Sequence, residues 1–220
     1  FAPIHQAITA KLKKIPAFCR PFFLPFLKKK IKEGLGKNIR LFVSGGARLE
    51  PQVASDFAHW GFTLIEGYGL TETSPIVSLN LPGKVKFGSV GKPLHGVEVT
   101  IHNPDVQGVG EVIIRGPNVM AGYYHQPELT AEAIWEGWFH SGDIGYLDRD
   151  GYLFLLGREK EIIVLRSGKN ISPQELEEYY GKSPFIKEMC VLTKSEEKFG
   201  QPVESLYAVV VPDLDFFRKK

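Results

Sequence analysis

Glu66-Gly67-Tyr68-Gly69-Leu70-Thr71-Glu72-Thr73 follows directly on the apolar stretch Phe62-Thr63-Leu64-Ile65, and its reading decides the fold. Between Glu66 and Glu72 it sets two glycines, a flat aromatic, a hydroxyl and a carboxylate. A strand that ends in such a loop can lay the Tyr68 ring against a base. It can also turn Thr71 and Glu72 toward a phosphate and its metal ion. The stretch points to nucleotide chemistry.

Upstream, Ile39-Arg40-Leu41-Phe42-Val43 predicts a second short buried strand, followed at once by Ser44-Gly45-Gly46-Ala47. Pro51 stands where a first helical turn tolerates it, and Val53, Phe57 and Trp60 mark one helix face. The order strand, loop, helix, strand, loop argues for an open α/β sheet. Ligands of such sheets bind beyond the carboxyl ends of the strands, where both glycine loops would lie. Residues 26–36 read as a helix stopped by Gly34 and Gly36. Pro16, Pro21 and Pro25 are expected to break any longer amphipathic helix in this region.

Downstream the rhythm changes. Val97, Val99 and Ile101 alternate with polar residues, residues 103–110 form a turn, and Val112-Ile113-Ile114 resumes the apolar pattern. Asp148-Arg149-Asp150-Gly151 joins residues 144–147 to residues 152–156 as a hairpin. This middle third is expected to be a small, mostly antiparallel β unit. A further strand is expected at Ile162-Ile163-Val164-Leu165. Ser172-Pro173-Gln174-Glu175 has capping-box spacing, and Met189–Leu192 and Leu206–Val211 read as strands. Trp138 and His140 are expected to pack around a loop that carries Asp143, and Glu66 to be structural.

The 220 residues are 43% hydrophobic and 24% charged, the balance of a globular protein with ample core material. No apolar run approaches the ~18–20 residues that span a bilayer, and the first residues do not form a signal peptide. Cys19 and Cys190 lie far apart, and two buried, reduced thiols are the favoured reading, which places the chain in the cytoplasm. The six histidines show no ligand spacing. Residues 1–40 carry a net charge of +9 and the rest −7. The favoured reading of basic residues 11–40 is a solvated helix face with an apolar contact to other parts of the same protein. Peripheral contact with an anionic membrane is the alternative. Nucleic acid finds no support, because the basic residues are confined to one end and the glycine loops carry acidic groups.

Taken together, six ordered segments resemble the adenylate-forming superfamily of acyl-CoA synthetases, luciferases and peptide-synthetase adenylation domains. They are residues 44–47, 66–72 and 88–94, residues 110–112 through 122–124, Trp138-Phe139-His140-Ser141-Gly142-Asp143, and Gly157-Arg158 through Gly168-Lys169-Asn170. The wording of the motifs is most similar to bacterial long-chain fatty acyl-CoA synthetases. The resemblance implies a fatty acid, ATP, Mg²⁺ and CoA as reactants. The acid attacks the α-phosphate to give acyl-AMP, and CoA then takes the acyl group.

Roles follow from the same resemblance. Gly45, Gly46 and Ala47 would let backbone approach adenine, with Tyr68 against its face, and Gly69 would join the nucleotide-binding residues beside the acyl pocket. Thr71 would bond the α-phosphate, and Glu72 would hold Mg²⁺, a hard ion that prefers carboxylate oxygen. Asp143 and Arg158 would bind the ribose, Lys160 would be the hinge, and Gly168 would meet the pantetheine tunnel. Glycine rather than a large residue at positions 69 and 91 is expected to leave room for a medium or long acyl chain.

The implied architecture is the second half of a large α/β domain (residues 1–157), a hinge (158–160) and an incomplete small α+β domain (161–220). Neither a Ser/Thr/Gly-rich loop ending in Pro-Lys-Gly nor the family's final-motif lysine occurs. The chain is therefore expected to be an internal fragment, without ligase activity alone. Two other readings fit the same residues: an acyl-AMP ligase or adenylation domain that loads a carrier protein, and a non-catalytic nucleotide-binding homologue.

Overall fold

Strand β1 (Leu41–Ser44), helix α2 (Pro51–His59) and strand β2 (Thr63–Tyr68) form one parallel β-α-β unit, preceded by helix α1 (Arg20–Leu35). The computed structural model describes residues 5, 8–10, 20–159, 163–164, 170–198 and 201–218. Lys160, Gly168 and Cys19, singled out by the sequence, lie outside the described residues. The chain divides into two compact units. One takes in residues up to Ser141 together with Tyr146–Leu155, and the other Gly142–Gly145 together with residues from Leu156 onward.

In the first unit, α2 begins at Pro51, whose missing N–H costs nothing in a first turn, and buries Val53, Ala54 and Phe57. Phe57 is fully enclosed by Phe42, Trp60 and Phe62, with ring centroids 5.2–6.2 Å away. Complete burial of one such ring stabilises a fold by roughly 2–3 kcal/mol. β1 departs from the buried strand expected of it. It starts at Leu41, and Leu41 and Val43 are exposed while Phe42 packs inward. The alternation along β1 turns Phe42 to the core and Leu41 and Val43 away from it. Helix α1 also departs from expectation, starting at Arg20 and continuing through Pro25. Pro21 sits in the first turn, where no helical acceptor is lost. Pro25 lies inside the helix, where it forfeits the bond its N–H would have made and crowds the carbonyl four residues back.

β2 continues into the antiparallel strands β3 (Ser78–Leu79) and β4 (Lys92–Pro93), so the sheet is mixed, in the order β1-β2-β3-β4. A second sheet has the order β5 (Glu98–His102), β6 (Gly110–Arg115), β8 (Trp138–Leu147), β7 (Ile134–Trp135), with β9 (Leu153–Arg158) paired to β8. Helix α3 (Pro127–Ala133) leads into β7. Three consecutive residues of β6, Val112, Ile113 and Ile114, are buried, which marks a strand covered on both faces. Val112 and Ile114 share one core with Tyr68, Val77, Phe139 and Leu153.

The β8–β9 hairpin closes on Asp148, whose Oδ1 accepts the N–H groups of Asp150 and Tyr152, both at 2.9 Å. Its carboxylate also pairs with Lys86, whose ammonium holds Asp148 below the usual carboxylate range.

In the second unit, β10 (Ile163–Val164) pairs with β11 (Asn170–Ile171), and helix α4 (Pro173–Tyr180) follows. β12 (Ile186–Lys198) and β13 (Gln201–Pro212) form an antiparallel ribbon before the short helix α5 (Leu214–Arg218). Ser172 Oγ donates to the Leu156 carbonyl at 3.2 Å, and Glu177 Oε1 accepts the Val191 N–H at 2.7 Å. The latter bond ties α4 to β12. Cys190 is a free thiol but is exposed, against the expectation of burial. It alternates with buried Val191 on a two-stranded ribbon, and alternation sends neighbouring side chains to opposite faces.

Candidate active site

The first cluster lies at the carboxyl end of β2. Gly69 is forced by packing: a β-carbon there would meet the Pro75 carbonyl oxygen at 1.6 Å. A β-carbon at Gly91 would meet the Leu79 carbonyl carbon at 1.9 Å. Both glycines let backbone lie against backbone. This corrects the expectation that they leave room for an acyl chain, since the space beside each is already filled by main chain. Tyr68 is buried among apolar side chains, so its ring is held rigidly.

Beyond Leu70 the chain makes a single 3₁₀ turn, Thr71–Thr73, that separates its two threonines. Thr73 is fully buried, and its Oγ1 accepts the Leu70 N–H at 2.9 Å while lying 3.0 Å from the Leu70 carbonyl oxygen. Thr71 is exposed and Glu72 half-buried. The turn therefore spends one hydroxyl on its own geometry and presents the other, beside a carboxylate, at the end of the strand. Gly45 to Ala47 leave β1 alongside it, and a β-carbon at Gly45 would sit 3.5 Å from the Gly67 carbonyl oxygen.

Segment 116–123, which the sequence reading did not connect to this turn, fastens it. Asn118 Nδ2 donates to the carbonyls of Thr73 (3.1 Å) and Ile76 (3.0 Å). The Met120 N–H donates to the Glu72 carbonyl at 2.8 Å. The Tyr123 hydroxyl donates to Glu72 Oε1 at 3.0 Å. Burial, and then the Glu72 carboxylate, push the Tyr123 phenol above its ordinary value. A Gly-Tyr-Tyr triplet does not reveal which tyrosine turns inward. The structure distinguishes them, with Tyr124 87% exposed and Tyr123 37%.

Glu66 is structural, as its sequence setting suggested. Its Oε1 accepts the Leu49 N–H at 3.2 Å, tying the Gly45–Gly46 loop's far end to β2. Burial pushes its carboxyl up to about 7, against the opposing pull of the Leu49 N–H and the Arg48 charge.

The second cluster lies in the other unit. Asp143 sits within strand β8 rather than on a loop, and its Oδ1 pairs with Arg158 Nε on β9 at 3.2 Å. The carboxylate is almost enclosed, while the guanidinium is 57% exposed. Trp138 and His140 occupy the same strand and pack, as expected, but on strand neighbours. Arg115 stacks over the Trp138 ring at 4.4 Å, and His140 Nδ1 lies 2.8 Å from Glu111 Oε2.

The residues fit a magnesium ion of one kind only. Among the described residues no group of three or more His, Cys, Asp or Glu could cage an ion. Glu72 offers a single carboxylate, with one oxygen engaged by Tyr123. Mg²⁺ is commonly held by one or two carboxylates plus substrate phosphates, and the site suits an ion that arrives with a nucleotide.

The site is thus a strand-end turn that presents a hydroxyl beside a carboxylate on a mixed α/β scaffold. Residues 10–124 match the AMP-binding enzyme family, and the chain belongs to it. It is 39% identical over 172 residues to the long-chain-fatty-acid–CoA ligase FadD15 of Mycobacterium bovis, covering 78% of this chain and 28% of that protein. It is 37% identical over 183 residues to a feruloyl-CoA synthase of Amycolatopsis, covering 80% of this chain and 36% of that protein. Among solved structures it resembles the O-succinylbenzoate CoA synthetase of Bacillus subtilis in complex with ATP and magnesium ion. There the TM-score is 0.72 at 25% identity, over 90% of this chain and 45% of that one. The chain thus spans less than half the length of each.

Proposed function

We propose that this chain serves an ATP-dependent carboxylate–CoA ligase that activates a fatty acid. In the first step a carboxylate oxygen of the acid bonds to the α-phosphorus of ATP, and the bond to pyrophosphate breaks. In the second, the CoA sulfur bonds to the acyl carbon, AMP leaves with the acyl oxygen, and the thiol proton passes to solvent. The observation that carries this reading is the turn at the end of β2, which sets an exposed Thr71 beside a half-buried Glu72 in a chain of the AMP-binding family.

In this reading Gly45, Gly46 and Ala47 bring backbone to adenine, and the rigidly held Tyr68 supplies a platform for its face. Thr71 donates to the α-phosphate. Asp143 accepts from the ribose hydroxyls, and Arg158, already paired with it, donates to the same sugar. Glu72 holds magnesium, whose charge offsets that of the phosphates. Positioning and charge stabilisation supply most of such catalysis. Residues 1–157 would be the latter part of the large domain, 158–160 the hinge and 161–220 part of the small domain. Lys160 and Gly168 keep the hinge and pantetheine roles that the resemblance implies.

The similarity to FadD15 favours a fatty acid, while the feruloyl and succinylbenzoate enzymes name the competing acids. The test is acid-dependent pyrophosphate release from ATP and thioester formation by the full-length protein. The panel comprises long-chain fatty, hydroxycinnamic and succinylbenzoic acids, offered with CoA or with holo carrier protein. At least tenfold preference for a fatty acid with CoA is expected. Preference for an aromatic acid would overturn the substrate, and transfer only to the carrier would overturn the acceptor. AMP binding without any product would overturn the enzyme.

A further inference from the structure

We infer that Tyr123 is a positioning residue for Glu72, holding that carboxylate in the one orientation that receives a nucleotide-bound divalent cation. The inference rests on the ligase reading above and adds a residue to its machinery. Of the four hydrogen bonds that segment 116–123 makes to the turn, three go to main-chain carbonyls of Glu72, Thr73 and Ile76. Those three suffice to fix the backbone. The fourth, from the Tyr123 hydroxyl to Glu72 Oε1, fixes only a side chain, and a half-exposed glutamate needs no such restraint to fold. Its effect is to immobilise a long, flexible carboxylate with one oxygen engaged and the other available.

Tyr123 is itself held. Its N–H donates to Thr130 Oγ1 at 2.9 Å, and that hydroxyl donates to the Gln126 carbonyl at 2.8 Å. Gly122 lets the chain pass close to the same threonine, since a β-carbon there would meet Thr130 Cγ2 at 2.7 Å. The phenol therefore projects from a braced backbone across 51 residues of sequence to a single carboxylate oxygen. A partner of this kind saves the metal site the cost of ordering its ligand, and losing such partners typically weakens metal affinity by about 10- to 100-fold.

The experiment is calorimetric titration of ATP into the full-length protein, with excess MgCl₂ and separately with EDTA, for wild type, Tyr123→Phe, Tyr124→Phe and Glu72→Gln. Tyr123→Phe keeps the ring and is expected to reduce the magnesium-dependent gain in ATP affinity about tenfold or more. Its affinity in EDTA and its melting temperature should stay at wild-type values, and Tyr124→Phe should match wild type throughout. Affinities in Tyr123→Phe that fall equally in both arms, or that stay within twofold of wild type, would overturn the inference. Glu72→Gln reports on the underlying reading separately. If it leaves the magnesium dependence intact, Glu72 is not the metal ligand, and both proposals go together.

Discussion

Glu66 carries a carboxyl that burial pushes up to about 7, one residue before the glycine-tyrosine pair of the candidate site. In the unfolded chain the same group ionises near 4.5. The folded protein therefore binds the proton more tightly than the unfolded chain does. Wild-type stability from this group is greatest below about pH 4.5 and falls as pH rises through 7. Glu66→Gln retains an acceptor for the Leu49 N–H and has no charge to bury. It should gain on wild type by up to about 3 kcal/mol between pH 5 and pH 8. Urea unfolding of both proteins at those two pH values measures this, and a constant difference across them would refute it. The structural role of Glu66 agrees with the expectation from the sequence. Its proton affinity was not legible there, because it depends on how deeply the folded chain buries the carboxyl.

At the scale of elements, turns and strand ends were the most readable and depth the least. The β8–β9 hairpin follows from Asp148 to Gly151, and the parallel β1–β2 pair from two short apolar runs. Helix α1 starts six residues earlier than the expected start at residue 26; Pro21 falls in its first turn, where proline is cheap, and Pro25 is carried inside it. The same local logic misjudged Gly91. A missing side chain was read as open space, whereas the structure fills that space with β3 backbone: a β-carbon at Gly91 would lie 1.9 Å from Leu79 C and 2.1 Å from Asn80 N, at φ +88°. Gly91→Ala should then destabilise the protein by about 3 kcal/mol or more, from steric overlap plus backbone strain. Gly83→Ala shares a positive φ (+79°) but meets nothing within 4 Å, so it should cost only about 1 kcal/mol. Thermal melts of the pair decide the matter, and equal losses would refute the packing argument.

For the whole molecule, the two units differ in how their strands are covered. β6 lies inside a five-stranded sheet with Val112 and Ile114 fully buried. The β12–β13 ribbon has two strands and leaves Leu192, Val209, Val210 and Val211 exposed. Two-stranded ribbons are marginal by themselves, and opening free energy follows local burial. Amide hydrogen exchange should be at least 100-fold slower at Val112 and Ile114 than at Val209 and Val211, measured by NMR. Equal protection would refute the assignment of the first unit's sheet as the stable core. No helix among the described residues is long and apolar enough to cross a membrane.

What the sequence determined by itself was the order of its chemistry-bearing segments, because each depends on local matters: a glycine after a strand, a hydroxyl and carboxylate on one turn, an aspartate four residues past a tryptophan-phenylalanine pair. That order sufficed for the family. Only the tertiary structure decided which side chains serve the site and which serve the scaffold. Thr71 and Thr73 are chemically identical, as are Tyr123 and Tyr124. They part company through burial, and the tyrosines also through a hydrogen bond that spans 51 residues of sequence, and contact between distant segments is a global quantity that no local pattern encodes.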